Sequence, residues 1–272
     1  MTTPGRVAGR EPTRTDAEYA ESILGYQVTR LSLPECLDRI LDWIEAGEKG
    51  KYLACLNPHS IEVARRDSAF ARALHEADLA IPDGVGMLIA SRILGGSIRR
   101  RITGSDIFAG LHRLLDARGG RSFFFLGSTE ATLAEIVTRM RRDYPNVRVA
   151  GTYSPPFRET FSAEDSAAMI DAINAARPDV LWVGMTAPKQ EKWVREHRDR
   201  LDVAFIGPVG AVFDFFTGRV RRSSPLFQRA GLEWLPRLLQ EPRRLWRRNF
   251  ISNPRFLCRV VAARFALEQN RE

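Results

Sequence analysis

A chain of 272 residues with 44% hydrophobic content is long enough to bury a full core as one α/β domain. Its formal net charge of +8 sits beside three cysteines, Cys36, Cys55 and Cys258, an odd number at no metal-ligand spacing, which fits a reducing cytoplasm better than a disulfide scaffold. The first 17 residues lack the apolar stretch of a signal peptide, and no apolar run reaches the roughly 20 residues that a membrane-spanning helix needs.

Residues 1–17, rich in Thr, Arg, Pro and Gly, read as a disordered tail. From residue 18 to residue 218, short β-branched or apolar runs alternate with helical periodicity. Strands are expected at Tyr26–Leu31, Tyr52–Leu56, Leu79–Ile81, Ser122–Leu126, Arg148–Gly151, Val180–Val183 and Val203–Ile206. The clearest helices are expected at Pro34–Glu45, Ser60–Arg66, Ser105–Arg118, Glu130–Arg142, Ala163–Ala176 and Gln190–His197, the first opened by a proline whose missing N–H costs nothing there. This alternation is the signature of a Rossmann-like α/β domain, a mostly parallel sheet flanked by helices. After Phe216 the strand signal stops, and residues 219–272 read as a helical, Arg-rich appendage.

Charge is concentrated in that appendage. Between Arg219 and Arg259 stand eleven arginines, no lysine and two glutamates, so the rest of the chain is close to neutral. A helix begun at Arg243 places Arg243, Arg244, Arg247 and Arg248 on one arc and Leu245 and Trp246 on the other side, with Phe250 at the boundary. Like charges at i, i+4 repel, so the arrangement suits an anionic partner: phosphate, anionic lipid or nucleic acid.

In open parallel sheets ligands bind beyond the carboxyl ends of the strands. Asn57-Pro58-His59-Ser60, Pro82-Asp83-Gly84-Val85-Gly86, Leu126-Gly127-Ser128-Thr129, Gly184 to Gln190 and Gly207-Pro208-Val209-Gly210 all follow expected strands and would share one rim. Pro82-Asp83-Gly84 is ordinary turn chemistry, yet a carboxylate in that place can take a proton from a hydroxyl nucleophile. Asn57 either binds a polar group of a ligand or caps the following helix, and Gly127-Ser128-Thr129 either cradles a phosphate or forms a plain cap. Gln190 has an amide able to read sugar hydroxyls or a base edge, against a default reading as part of a solvated helix start. Arg101, in Arg101-Ile102-Thr103-Gly104-Ser105-Asp106, is a surface charge or an anion clamp.

Neither GxGxxG nor GxxxxGK[ST] occurs, which argues against dehydrogenases and P-loop kinases. The four histidines make no ligand pair, no two aspartates stand at i, i+2, and there is no G-x-S-x-G elbow. No metal site and no cofactor are therefore expected, and arginine would have to neutralise any phosphate.

Five blocks are decisive together: Asp78-Leu79-Ala80-Ile81-Pro82-Asp83-Gly84, Arg101 to Asp106, Pro188-Lys189-Gln190-Glu191-Lys192-Trp193, Gly210-Ala211-Val212-Phe213-Asp214, and Gly231-Leu232-Glu233-Trp234-Leu235-Pro236-Arg237-Leu238 followed by Glu241-Pro242-Arg243-Arg244. In this order, from about Gly25 to Phe256, they resemble the WecG/TagA/CpsF family of bacterial glycosyltransferases, glycosyltransferase family 26. The resemblance implies a metal-independent inverting enzyme that moves a sugar from a UDP-sugar to a polyprenyl-diphosphate-linked saccharide. It also implies work at the cytoplasmic membrane surface as a cytoplasmic, peripherally associated protein. Asp83 matches the family's general base, and Asn57, Arg101 and Gln190 match positions assigned to substrate binding. Cys55, Gly84, Asp106, Gly127, Ser128, Gly184 and Gly210 complete the candidate binding set. Arg237 and Arg244 are the candidates for stabilising the leaving diphosphate, with Arg243, Arg247 and Arg248 binding it. Cys55 stands where relatives often carry Thr.

Nucleic-acid binding and a non-enzymatic membrane adaptor are the competing readings of the basic tail. Against nucleic-acid binding, the arginines crowd one terminal region and a complete α/β rim would be left idle, so no nucleic acid is expected as a partner; loss of lipid-acceptor turnover along with membrane binding separates an enzyme from the adaptor. A homo-oligomer stays open.

Overall fold

The computed structural model describes residues 19–220 and 247–269, apart from the side chains of residues 247–249 and 267. Its centre is a six-stranded sheet made of β3 (Lys51–Leu56), β4 (Leu79–Pro82), β5 (Ser122–Gly127), β6 (Arg148–Tyr153), β7 (Val180–Gly184) and β8 (Phe205–Pro208), in the order β4-β3-β8-β7-β5-β6. Every pairing in it is parallel, so the sheet is wholly rather than mostly parallel.

The expected strand at Tyr26–Leu31 forms as β2 (Tyr26–Thr29), but outside this sheet, in an antiparallel hairpin with β1 (Ala20–Ile23). The chain reverses at Leu24 and Gly25, with φ of 51° and 90°, the two positive values that a tight hairpin matching strand twist demands.

Six helices arise near the expected positions: α1 (Leu33–Glu45), α2 (Pro58–Ala64), α5 (Gly104–Arg118), α6 (Glu130–Asp143), α7 (Ala163–Ala176) and α8 (Lys189–His197). Three more, α3 (Ser68–His75), α4 (Val85–Leu94) and α9 (Val212–Thr217), fill stretches without a clear expectation. At the C-terminal end, residues Arg247–Ser252 form a π-helix that runs into α10 (Asn253–Gln269). Of the helix expected to begin at Arg243, only the stretch from Arg247 is described, and it opens as a π-helix, whose i to i+5 bonds give a wider turn than the 3.6 residues expected; Arg243 to Trp246 lie outside the described residues. Residues 1–17, and the arginines within 221–246, lie outside the described residues.

Side chains alternate between the two faces of the sheet, as the strand period requires. Leu53, Phe123, Phe125, Val180, Trp182 and Phe205 point to one face and bury against α1, α5, α6 and α9. Phe124, Leu126, Leu181, Val183 and Ile206 point to the other, where they meet α7 and α8. Further along that second face, Ala54, Leu56 and Ala80 are covered by α2, α3 and the hairpin, and Phe256 and Val260 of α10 complete the cluster. Strands buried on both faces read as continuous apolar runs, as Ser122–Gly127 does in SFFFLG.

After β3 the chain moves outward to β4, and after β5 it moves outward in the opposite direction to β6. The carboxyl ends of β8 and β7 lie between these departures, where an open α/β sheet leaves a crevice.

Candidate active site

The rim is built around the end of β3. Asp83 N–H donates to Leu56 O at 2.8 Å, which ties the end of β4 to the residue before Asn57. Ile102 N–H donates to Pro82 O at 3.0 Å, so Arg101 and the start of α5 lie beside Asp83. Gly104 sits so close to Cys55 that a Cβ there would be 3.3 Å from the sulfur and 3.6 Å from Val209 Cγ1, at the end of β8. Gly84 has a φ of 104°, a backbone region few side chains tolerate, and turns the chain from Asp83 straight into α4. A Cβ on Gly86 would collide with the Pro58 ring, which sets the starts of α4 and α2 side by side.

On the other side of the crevice, Gly127 and Gly184 are register partners at the ends of β5 and β7. Their backbones approach so closely that a Cβ on Gly127 would stand 2.7 Å from Gly184 O. Phe213 of α9 packs on Gly184, and Gly210, with φ of 55°, lies opposite the Gln190 amide. Val209 and Gly210 N–H both donate to Val183 O, at 2.9 and 3.3 Å, so the loop after β8 is pinned to β7.

Several candidates also carry local work. Asn57 caps α2: its Oδ1 accepts from Ser60 N–H at 2.9 Å, leaving the Nδ2 hydrogens for a ligand. Asp106 closes the capping box of α5, its Oδ2 accepting from Thr103 N–H at 3.0 Å and Thr103 Oγ1 at 2.8 Å. Thr129, not Ser128, caps α6, while Ser128 adopts a φ of 62° and its carbonyl accepts from Ser154 Oγ at 2.8 Å. The N-termini of α4, α5, α6 and α8 thus open toward one rim, where their dipoles favour an anion.

The electrostatics of this rim are unusual. Burial pushes the Cys55 thiol well above its ordinary value, and the carboxylates of Asp83, Glu191 and Asp106 push it the same way against a hydrogen bond from Gly104 N–H. Cys55 is therefore a neutral thiol. Three acidic groups, one just after β4 and one each on α5 and α8, act on one sulfur.

Glu191 is the residue that sequence reasoning passed over. It stands next to Gln190 in a charged helix start that reads as solvated, yet it is only 5% exposed, and burial drives its carboxyl up to about 7. A signal was present: Gln190, Trp193, Val194 and His197 follow the i, i+3, i+4, i+7 spacing of a buried arc, and Glu191 lies three residues before Val194. The link between the rim and the C-terminal helices also escaped notice. His59 Nδ1 and Ser252 Oγ meet at 2.9 Å, and Arg259 pairs with Glu62 at 3.0 Å, which docks the π-helix and α10 on α2.

The backbone of Arg247 and Arg248 belongs to that docked π-helix, one turn before Ser252. Arg237, Arg243 and Arg244 lie outside the described residues. Among the described residues no group of three His, Cys, Asp or Glu side chains could hold a metal ion, and no helix is long and apolar enough to cross a membrane.

The family model described as "Glycosyl transferase WecG/TagA/CpsF family" matches residues 21–270. An N-acetylglucosaminyldiphosphoundecaprenol N-acetyl-beta-D-mannosaminyltransferase of Bacillus spizizenii is 33% identical over 213 residues, 78% of this chain and 79% of the relative. Enzymes of the same name from Bacillus subtilis and Staphylococcus aureus (strain MW2) are 29% and 24% identical, each over 78% of this chain and 79% or 80% of the relative.

Proposed function

The chain belongs to the WecG/TagA/CpsF family of glycosyltransferases, and from that premise we propose that it moves N-acetylmannosamine from its UDP-activated form to an N-acetylglucosaminyl-diphospho-undecaprenol acceptor. The names of the relatives supply the sugar and the acceptor. The observation that carries the reading is the place of Asp83: half-buried at the carboxyl end of β4, hydrogen-bonded through its N–H to β3, and flanked by Arg101 and the starts of α4 and α5.

In this reading the acceptor hydroxyl attacks the anomeric carbon in a single displacement that inverts its configuration. Asp83 takes the hydroxyl proton as the bond to UDP breaks. The diphosphate gains charge as it leaves, and the N-terminal dipoles around the rim favour that charge. Arg101 and the arginines Arg237, Arg243, Arg244, Arg247 and Arg248 complete its neutralisation, arginine suiting this role because its planar fork binds phosphate oxygens bidentately. No metal is required. Asn57 Nδ2 and Gln190 orient the donor. Because the acceptor is anchored by its polyprenyl chain, the enzyme works at a membrane surface, with the C-terminal elements docked on α2 beside the rim.

The test is release of UDP from UDP-N-acetylmannosamine with a lipid-diphosphate acceptor, with and without EDTA. Asp83→Asn is expected to lower kcat by about 10²–10⁴-fold, the usual worth of a general base, while EDTA leaves the wild-type rate intact. Wild-type turnover by the Asn variant removes Asp83 as the base, and loss of turnover on chelation refutes the metal-free mechanism.

A further inference from the structure

Gln190 and Glu191 open α8 with side chains that are 4% and 5% exposed. Gln190 Nε2 donates to Glu191 Oε1 at 2.9 Å. The two other oxygens of the pair, Gln190 Oε1 and Glu191 Oε2, are buried and have no hydrogen-bond partner. If Glu191 is ionised, both are acceptors without a donor, a costly arrangement for buried groups.

Among the described residues no cation shifts the Glu191 carboxyl: burial raises it, and only hydrogen bonds from Gln190 and from its own backbone N–H work the other way. Around it, after the end of β4, on β3 and on α5, stand Asp83, Cys55 and Asp106, with Arg101 beside Asp83. On α8 itself, Lys189 Nζ donates to Arg158 O at 2.8 Å and lies over the Phe161 ring. Lys192 pairs with Asp67 and Arg195 with Glu76, while the His197 ring packs on Trp193. Beyond the helix, Arg198 pairs with Asp78. One proton would resolve both orphans, since a carboxylic acid at Oε2 has a hydrogen to give to Gln190 Oε1.

We propose that Glu191 works as a neutral carboxylic acid that closes a two-bond acid–amide pair with Gln190 and so fixes the amide that reads the nucleotide sugar. The pair uses one N–H of Gln190 Nε2 and leaves the other for the ligand, where it suits a carbonyl oxygen of the UDP-sugar, on the uracil ring or the N-acetyl group. Glu191 is thus a positioning residue: it acts through Gln190. The burial that raises its carboxyl to about 7 is consistent with this protonation state. Loss of the proton frees the amide to turn over and puts a negative charge beside a site meant for diphosphate. The inference rests on the reading of the rim as a UDP-sugar site.

The experiment measures binding of UDP-N-acetylmannosamine to the full chain by calorimetry from about pH 5.5 to about 8.5, a range in which a diphosphate diester does not titrate. In parallel, the carboxyl ¹³C signal of Glu191, assigned by its absence in Glu191→Gln, is titrated in ligand-free protein. With only the protonated state competent, apparent affinity falls up to about thirtyfold by pH 8.5 in the wild type. Glu191→Gln, whose amide can make the same two bonds, loses that pH dependence, and Glu191→Leu binds weakly at every pH. A carboxyl midpoint near the ordinary 4.5, or a wild-type affinity that follows the pH course of the Gln variant, overturns the proposal. Should the nucleotide sugar bind at no pH, the substrate reading fails, and the carboxyl titration alone decides the pair: a midpoint near 7 supports it and one near 4.5 overturns it.

Discussion

Replacing Glu191 by Gln should change how the stability of the protein depends on pH. The carboxyl has an ordinary value of 4.5 and stands at about 7 in the folded protein because burial disfavours its charged form. Between those two values the native state keeps a proton that the unfolded chain has released. The stabilising contribution is therefore fully present below about 4.5 and is lost as pH rises to about 7, beyond which the curve is flat. At about 1.4 kcal/mol per pH unit, the interval amounts to roughly 3 kcal/mol. The glutamine variant has no proton to lose at this position, so the stability of the wild type minus that of Glu191→Gln should fall by roughly this amount between pH 4.5 and 8. Urea unfolding of both proteins at half-unit pH steps measures the difference and cancels the other titrating groups. A difference that stays constant over the range, or rises with pH, refutes the reasoning.

Two further expectations concern stability away from the rim. His112 is fully buried among Phe108, Phe123, Tyr144 and Trp182, and burial lowers its ring to about 3, so its neutral form is held while the unfolded chain charges. Stability should fall as pH drops from about 6.5 toward 3, by up to roughly 5 kcal/mol, and His112→Phe should flatten this limb in acid-unfolding curves; an unchanged limb contradicts the assignment. Asp179 accepts from Ser122 N–H and Oγ, both at 2.8 Å, and from Arg121 at 3.0 Å, at the end of the sheet opposite the rim. Asp179→Ala should cost about 2–3 kcal/mol in denaturant unfolding and leave KM for the nucleotide sugar unchanged; a raised KM would mean that the far end of the sheet feeds into the site.

The parts of the fold legible in the sequence were those in which one physical signal dominated. SFFFLG at Ser122–Gly127 is apolar on both faces and fits only a central strand, and Thr103 with Asp106 spells the start of α5. The hairpin was half-seen because β1 holds only four residues, including Glu21 and Ser22, and has no apolar run to announce it. Asp83 and Asn57 stood out as candidates because each directly follows an expected strand, where the topology concentrates ligand chemistry, and Gln190 because it ends the segment after another; Arg101 follows α4 and stood out only through the family resemblance. Glu191 was hidden because a charged residue beside Lys189 and Lys192 reads as solvated. Only tertiary packing of α8 against the sheet turns it inward.

The two ends of the described chain share one cluster. Ile23, Tyr26 and Val28 of the hairpin bury with Phe256 and Val260 of α10, and Arg259 reaches Glu62 on α2. This has a practical consequence for dissecting the basic tail. A truncation that removes everything after residue 220 also takes away two fully buried side chains, Phe256 and Val260, and opens the cluster that they share with Leu56 and Ile61, the neighbours of the Asn57 segment. Lost turnover in such a protein would report a damaged wall as readily as a missing cation. Single arginine replacements within 221–248, made with α10 in place, separate charge from scaffold.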